Sequence, residues 1–187
     1  FTLSNLDGND SLAQKYQRKA TQLKQIVEER LWNKSASFFE VEKEKGGFSN
    51  AREAIGFIPW YFNLPSDKRN YAKAWNQVID TSGFSAPWGL TTAERRHPEF
   101  RTHGSGHGCE WDGAIWPYAT TQTLKAMANF INDYKNHGSM NGKVFYHEFK
   151  KYADSHVISG HTYIGEYQDE KTGEWLKGDI SRSRFYN

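Results

Sequence analysis

The run from Cys109 to Tyr118 sets Trp111 and Trp116 around Asp112 and Gly113, and Pro117 follows at once. Proline fixes φ near the helical value and has no amide to donate, so it suits the first turn of a helix, where that amide would go unpaired. Ile115, Tyr118, Thr121, Leu124, Ala128 and Ile131 then recur at three and four, which predicts a helix from Pro117 buried along that stripe. Two indoles and a carboxylate are thereby gathered at one helix mouth. A flat indole beside fixed polar groups suits a sugar, because the C–H faces of a pyranose stack on aromatic rings while its hydroxyls need directional partners. For any single tryptophan, core packing is the plainer account.

Composition adds weight to the sugar platform. Seven Trp, ten Tyr and twelve Phe make the 187-residue chain 16% aromatic, although only 37% of it is hydrophobic. A net charge of +2, from 24 basic and 22 acidic residues, gives no strong field for nucleic acid or an anionic membrane, and neither is expected as a partner. The single cysteine, Cys109, excludes an internal disulfide framework and a cysteine-rich zinc site, and no metal or other cofactor is implied. No apolar run reaches the roughly 18 residues of a membrane span. Phe1, Thr2, Leu3 and Ser4 lack the charged start and apolar core of a signal peptide, so a processed or excerpted chain is expected, compatible with a periplasmic or secreted location.

Asn9, Asp10 and Ser11 can cap a first helix from about Leu12 to Leu31, with Leu12, Tyr16, Ala20, Leu23, Val27 and Leu31 on its buried face. Phe38 to Val41, followed by Lys43 to Phe48, predicts a short strand and a turn. A second helix is expected over about Ala51 to Phe62, limited by Gly56 and Pro59. A third is capped by Asp67 and buries Tyr71, Ala72, Trp75, Val78 and Ile79. From Asp80 to Asp112 no helical period survives, and a connection this long is more often functional than idle. After Pro117's helix, Asn136 to Gly142 forms a turn, and Val144, Phe145, Phe149 and Tyr152 predict a fifth helix to about Asp154.

Four stretches then resemble one family. They are Arg52 to Phe62, Gly89 to Arg96, Glu110 to Leu124, and Gly165, Glu166 and Tyr167 with Thr172, Gly173 and Glu174. In this order they are similar to the six-hairpin (α/α)6 glycosidases, and most of all to the mannosylglycerate hydrolase-like group, related to trehalases and the processing α-glucosidases of glycoproteins. The resemblance implies an all-α fold, a partial toroid of helical hairpins with small β-hairpin insertions. It also implies hydrolysis of a glycosidic bond with inversion, one carboxylic acid protonating the leaving oxygen and one carboxylate activating water. Glu166 matches the general base, and Trp111, Asp112 and Trp116 match residues lining the sugar site. The family's general acid is an aspartate upstream of the helix that resembles Leu12 to Leu31. A full toroid needs about twelve helices and the periodicity predicts about five. Residues 1–187 are therefore expected to be an incomplete catalytic domain, whose partners are a carbohydrate substrate and the remainder of the toroid.

Besides these residues, Trp88 and Trp60 are expected as sugar platforms, because both lie at a helix end or in the long connection. Glu94, Arg95 and Asp112 are expected to present charge to sugar hydroxyls, since charge-assisted hydrogen bonds orient a ring well. The plainer reading of Glu94 is a salt bridge to a neighbouring arginine, and that of Glu166 is a pairing with His161 or Arg182. Asp169, Glu170 and Glu174 surround a polar turn and are expected to face solvent. A carbohydrate-binding helical domain without chemistry and a polysaccharide lyase using Tyr167 or His161 remain alternative functions.

Overall fold

The computed structural model describes residues 3, 6–103 and 111–177, so Cys109, Glu110 and Arg182 lie outside the described residues. Asn9 caps α1 (Asp10–Ile26), its side-chain oxygen accepting the Leu12 amide at 3.0 Å. One wider turn, Val27–Leu31, carries the chain into β1 (Trp32–Asn33), which pairs antiparallel with β2 (Phe38–Phe39), Trp32 opposite Phe39. A 3₁₀ turn, Ala54–Phe57, leads into α2 (Ile58–Tyr61). Then α3 (Arg69–Ala72), a second 3₁₀ turn (Lys73–Trp75) and α4 (Asn76–Ile79) follow end to end. The long connection holds a hairpin of β3 (Ser85–Ala86) and β4 (Gly89–Leu90). Two further long helices follow, α5 (Pro117–Asp133) and α6 (Gly142–Ser155). Hairpins of β5 (Val157–Ile158) with β6 (His161–Thr162), and of β7 (Tyr167–Gln168) with β8 (Trp175–Lys177), end the described chain. The chain is mostly helical, with four two-stranded antiparallel sheets among the described residues. No helix among the described residues is long and apolar enough to cross a membrane.

The core is an aromatic cluster. Trp75 stacks on Phe130 at 5.1 Å between centroids, and Trp60 meets Trp75, Phe39 and Phe130 edge-on. Each such pair adds about 0.5–1.5 kcal/mol beyond simple area burial. α5 packs against both α2 and α6, and Asn129 on α5 donates to the Trp60 and Tyr61 carbonyls at 3.1 and 2.9 Å, satisfying the end of α2.

Several sequence expectations change. The buried face of α5 is Ala119, Thr120, Thr123, Leu124, Ala126, Met127 and Phe130, while Tyr118 is 65% exposed. Thr123 serves on that face because its hydroxyl donates to the Ala119 carbonyl at 3.1 Å, so its polarity is met within the helix. The expected helix over Ala51 to Phe62 begins only at Ala54, because Glu53 is extended and bridged to Ala93, with the Arg52 carbonyl and Ala54 amide bound to Glu94 and Thr92. Asp67 does not cap α3; it accepts the Lys135 and Asn136 amides, each at 3.0 Å, just beyond α5. The fifth expected helix, α6, forms as read. The apolar stripe on α1 is largely uncovered: Leu12, Tyr16, Leu23 and Ile26 are exposed, and Val27, just beyond the helix, is buried.

Trp60 has no exposed surface at all and lies at the centre of this cluster, so its expected role as a sugar platform is corrected to one of packing. Trp60→Ala removes the partner of three aromatic rings and should cost about 3–5 kcal/mol of stability. Denaturant unfolding measures this; a loss under about 1 kcal/mol contradicts the assignment.

Candidate active site

Four short extended segments lie side by side and carry the candidate residues. Arg52 to Ala54 pairs with Thr92 to Glu94 through Ala54 N–H to the Thr92 carbonyl at 2.7 Å and Glu94 N–H to the Arg52 carbonyl at 2.9 Å. Thr92 in turn binds the next segment with its side chain: its hydroxyl accepts the Gly113 amide and donates to the Ala114 carbonyl, both at 3.1 Å. Ile115 and Gln168 then exchange both backbone hydrogen bonds, at 3.0 and 2.8 Å. Arg101 runs parallel to Gly113 so closely that a Cβ on Gly113 would lie 1.8 Å from the Arg101 carbonyl oxygen. Only glycine allows that approach. The motif around Trp111 is thus locked to the strand that follows Glu166.

Ring stacking repeats the connection. Tyr167 lies parallel to Trp116 at 5.0 Å, and Trp116 lies parallel to Trp111 at 4.4 Å, which gives one stack of three rings. Trp111, at its outer end, is 42% exposed. It borders a cavity of about 500 Å³ together with Glu53, Ile55, Ile58, Tyr118 and Gln122. A second cavity of about 500 Å³, lined by Glu53, His97, Glu99, Arg101 and Asp112 among others, is polar. Glu53 borders both. Arg101 Nε donates to Asp112 at 2.7 Å, and a second guanidinium N–H reaches the same oxygen.

Glu166 sits half-buried at a bend just before β7. The residue before it, Gly165, lies under the Trp175 ring, where a Cβ would come within 2.2 Å of a ring carbon. Close approach to Trp175 explains this glycine. The β7–β8 turn is held from three sides. Burial pushes the Asp169 carboxyl up, but the amides of Thr172 and Lys171, at 2.9 and 2.8 Å, and His103 at 3.1 Å outweigh it and hold the group below the usual aspartate range. Thr102 donates to buried Glu170 at 2.5 Å. Trp88 covers Gly173 and donates its indole N–H to the Lys171 carbonyl at 3.1 Å.

A sequence model of the mannosylglycerate hydrolase MGH1-like glycoside hydrolase domain matches residues 1–187. The chain belongs to this family. Among solved structures, a protein titled sialidase is 52% identical to this MGH1-like domain, with a TM-score of 0.91 over 99% of this chain and 17% of the sialidase chain. The mannosylglycerate hydrolase of Thermus thermophilus, solved with Tris, is 19% identical, with a TM-score of 0.61 over 80% of this chain and 32% of its own. The same enzyme with glucose gives 0.60 at 19% identity, covering 80% and 33%. The MGH1-like domain therefore spans about a sixth to a third of the length of these relatives. No curated protein matches it.

Within the MGH1-like domain, the expected site residues divide. Trp111 and Asp112 reach the two cavities, whereas Glu166 lies at the bend before β7 and borders neither of them. Trp116 is 5% exposed with a ring on each face, so it spaces Trp111 from Tyr167 and offers no face to a sugar. Trp88 clamps the β7–β8 turn. Glu94 is 5% exposed and bound to Arg52 at 2.7 Å and Arg96 at 3.3 Å, which makes it a buried ion-pair centre and corrects its reading as a sugar contact. Arg95 donates to the Thr81 and Ser85 carbonyls at 2.8 and 3.3 Å and borders neither cavity. Asp169 and Glu170, expected in solvent, are buried, while Glu174 is exposed. Among the described residues no cluster of His, Cys, Asp or Glu could hold a metal ion.

Glu53 has no sequence mark beyond its place in the Arg52 to Phe62 motif, yet it is the carboxyl common to both cavities. Burial is the largest influence on it and pushes its carboxyl above the ordinary glutamate range; His97 opposes this and Glu40 adds to it. A raised folded-state value means that the folded chain holds the proton more tightly than the unfolded one. Ionised Glu53 therefore lowers stability, not at all below pH about 4.3 and fully above its raised value. Glu53→Gln should accordingly raise the melting temperature at pH 7, with the gain shrinking as pH falls towards about 4. An unchanged melting temperature at pH 7 contradicts this. In the β7–β8 turn, Trp88→Ala should speed amide exchange at Thr172 and Gly173 while leaving α5 amides as they are, which hydrogen-exchange mass spectrometry reads directly.

Proposed function

We propose that this MGH1-like domain forms one wall of the active site of an inverting glycoside hydrolase that cleaves a glycosidic bond in an oligo- or polysaccharide. One observation supports the reading: the Ile115–Gln168 pairing and the Trp111–Trp116–Tyr167 stack join the exposed Trp111 indole to strand β7, which Glu166 directly precedes. Glu166 is the general base that takes a proton from the attacking water. Trp111 is the sugar platform, and Asp112, oriented by Arg101, accepts from sugar hydroxyls. The proton for the leaving oxygen comes from a carboxyl that the family pattern places before α1, about 6.5–9.5 Å from the base with the water between.

The wider fold in this reading is an (α/α)6 toroid, to which residues 1–187 contribute part of the ring of hairpins. Its supports are the apolar stripe left exposed on α1 and the 17% and 32% shares of the relatives' chains that this chain covers. The name of the sialidase describes a chain of which 17% is matched, so it assigns no substrate here.

In the full enzyme, Glu166→Gln should lower kcat by about 10²–10⁴-fold with KM nearly kept, since only proton transfer to the base is removed. Added azide should restore turnover as a glycosyl azide of inverted configuration. Proton NMR of the first-formed anomer tests the stereochemistry, and a retained anomer or near-normal turnover of Glu166→Gln overturns the assignment.

A further inference from the structure

A third cavity, of about 290 Å³, lies between the turn after α4 and the β7–β8 turn and shares no lining residue with the two beside Trp111. Arg95, Arg96, Phe100, Glu170 and Lys171 are among the residues that line it. Backbone pairing builds one wall, where the Arg95 and Arg96 amides donate to the Gly83 and Ser82 carbonyls at 2.8 and 2.9 Å. Asp169 builds the other by accepting the Lys171 and Thr172 amides. Within that turn Glu170 is fully buried, while the Lys171 side chain is 69% exposed.

The polar groups on these walls are incompletely matched. Thr102 donates to Glu170 Oε2 at 2.5 Å, but Oε1 is buried without a hydrogen-bond partner. Lys171 Nζ stands 3.8 Å from Oε1, beyond hydrogen-bond reach. Trp88 holds the Lys171 carbonyl, so the backbone there is fixed and only the exposed ammonium is left to swing aside. Arg95 directs Nη1 to the Thr81 and Ser85 carbonyls, and among the described residues no carboxylate pairs with it and no acceptor meets its Nε or Nη2. Arg96, by contrast, is tied to Asp80 and Glu94. One cavity thus holds a buried acceptor that lacks a donor and a guanidinium with N–H groups that lack acceptors.

We propose that this cavity is a second carbohydrate site, which takes one pyranose ring through two adjacent hydroxyls. This rests on the reading of the domain as part of a glycoside hydrolase. A lone anion or a lone cation suits only one half of the lining. A hydroxyl both donates and accepts, so of two neighbouring hydroxyls one donates to Glu170 Oε1 as Lys171 moves aside, while the other accepts from Arg95. Half-buried Phe100 gives the C–H face of the ring an apolar neighbour. The volume lies at the lower edge of the about 300–1,000 Å³ of small-molecule sites, which suits a single ring rather than a chain.

The test titrates the full chain with glucose and with mannose at pH 7, read by NMR at the Arg95 Nε–H and Phe100 ring signals and, for the cleft, at the Trp111 indole. Saturable shifts at Arg95 and Phe100, with a Kd of about 1–10 mM, are expected for at least one of the sugars. Glu170→Gln keeps the shape and an acceptor for Thr102 but removes the charge, and should weaken this binding about tenfold. Arg95→Lys keeps the charge but loses the planar fork, and should weaken it by a similar factor. Absent or unsaturable shifts at Arg95 and Phe100, or an unchanged affinity in either folded variant, overturn the proposal. Circular dichroism checks the fold of both variants, and if Glu170→Gln does not fold, Arg95→Lys decides alone. Saturable shifts at Trp111 with none at Arg95 and Phe100 overturn this site and leave the cleft as a carbohydrate site. The hydrolytic reading is judged separately by the Glu166→Gln kinetics, so the two fail independently.

Discussion

Everything in the candidate site hangs on the crossing at Gly113, where its backbone meets Arg101 on one side and the Thr92 hydroxyl on the other. A side chain there would lie 1.8 Å from a carbonyl oxygen, and the crossing could not form. Thr92, 3% exposed, both accepts from Gly113 and donates to Ala114, so one hydroxyl satisfies two backbone groups that water cannot reach. From that junction the pairing passes outwards to Glu53 on one side and, through Ile115 and Gln168, to the strand after Glu166 on the other. No strand in the row is long enough to be stable alone. Their order comes from side chains and glycines at the crossings, backed by the aromatic core beneath.

That dependence explains which parts of the fold the sequence discloses. α1, α5 and α6 follow helical spacing and form close to where it puts them, because length and periodicity override local detail. The burial of α5 does not follow from apolar spacing alone, since its inner face includes Thr120 and Thr123 and leaves Tyr118 outside. Thr123, which bonds its hydroxyl back to the Ala119 carbonyl, behaves as a small apolar residue, and a periodicity count treats it as polar. The shortening of the second helix has a different cause. Residues 52 to 54 have helical neighbours in sequence, but the Arg52 carbonyl and the Ala54 amide are taken by Glu94 and Thr92, about 40 residues away, and a long-range pairing of that kind leaves no local signature.

The site divides along the same line. The motifs that hold Trp111, Asp112 and Glu166 each contain a glycine with a steric reason, Gly113 against Arg101 and Gly165 against Trp175, and that is the part of the site the sequence discloses. Trp60, Trp116 and Glu94 lie in equally marked stretches and turn inwards. An aromatic or acidic residue in a motif can hold the site as well as line it, and spacing cannot separate the two. Trp116 shows this most clearly, since by filling the gap between Trp111 and Tyr167 it joins the platform to the strand beside Glu166 without offering either face to a ligand. Glu94 does the same with charge, binding Arg52 and Arg96 across two loops.

The arginines give the cleft its electrostatic character through what they are tied to. Arg52 and Arg96 converge on Glu94, which is nearly solvent-free, and a buried carboxylate in that position would be strongly destabilising without them. Arg101 is held by Asp112 beside the polar cavity. Their positive charge is therefore balanced locally, and Glu53 is left as the half-buried acid between the cavities. Its elevated affinity for a proton follows from burial, opposed by His97 and reinforced by Glu40, a state that weakens the fold above its titration range. The cost arises because the carboxylate is partly desolvated between two cavities while the arginines around it are tied to other acids.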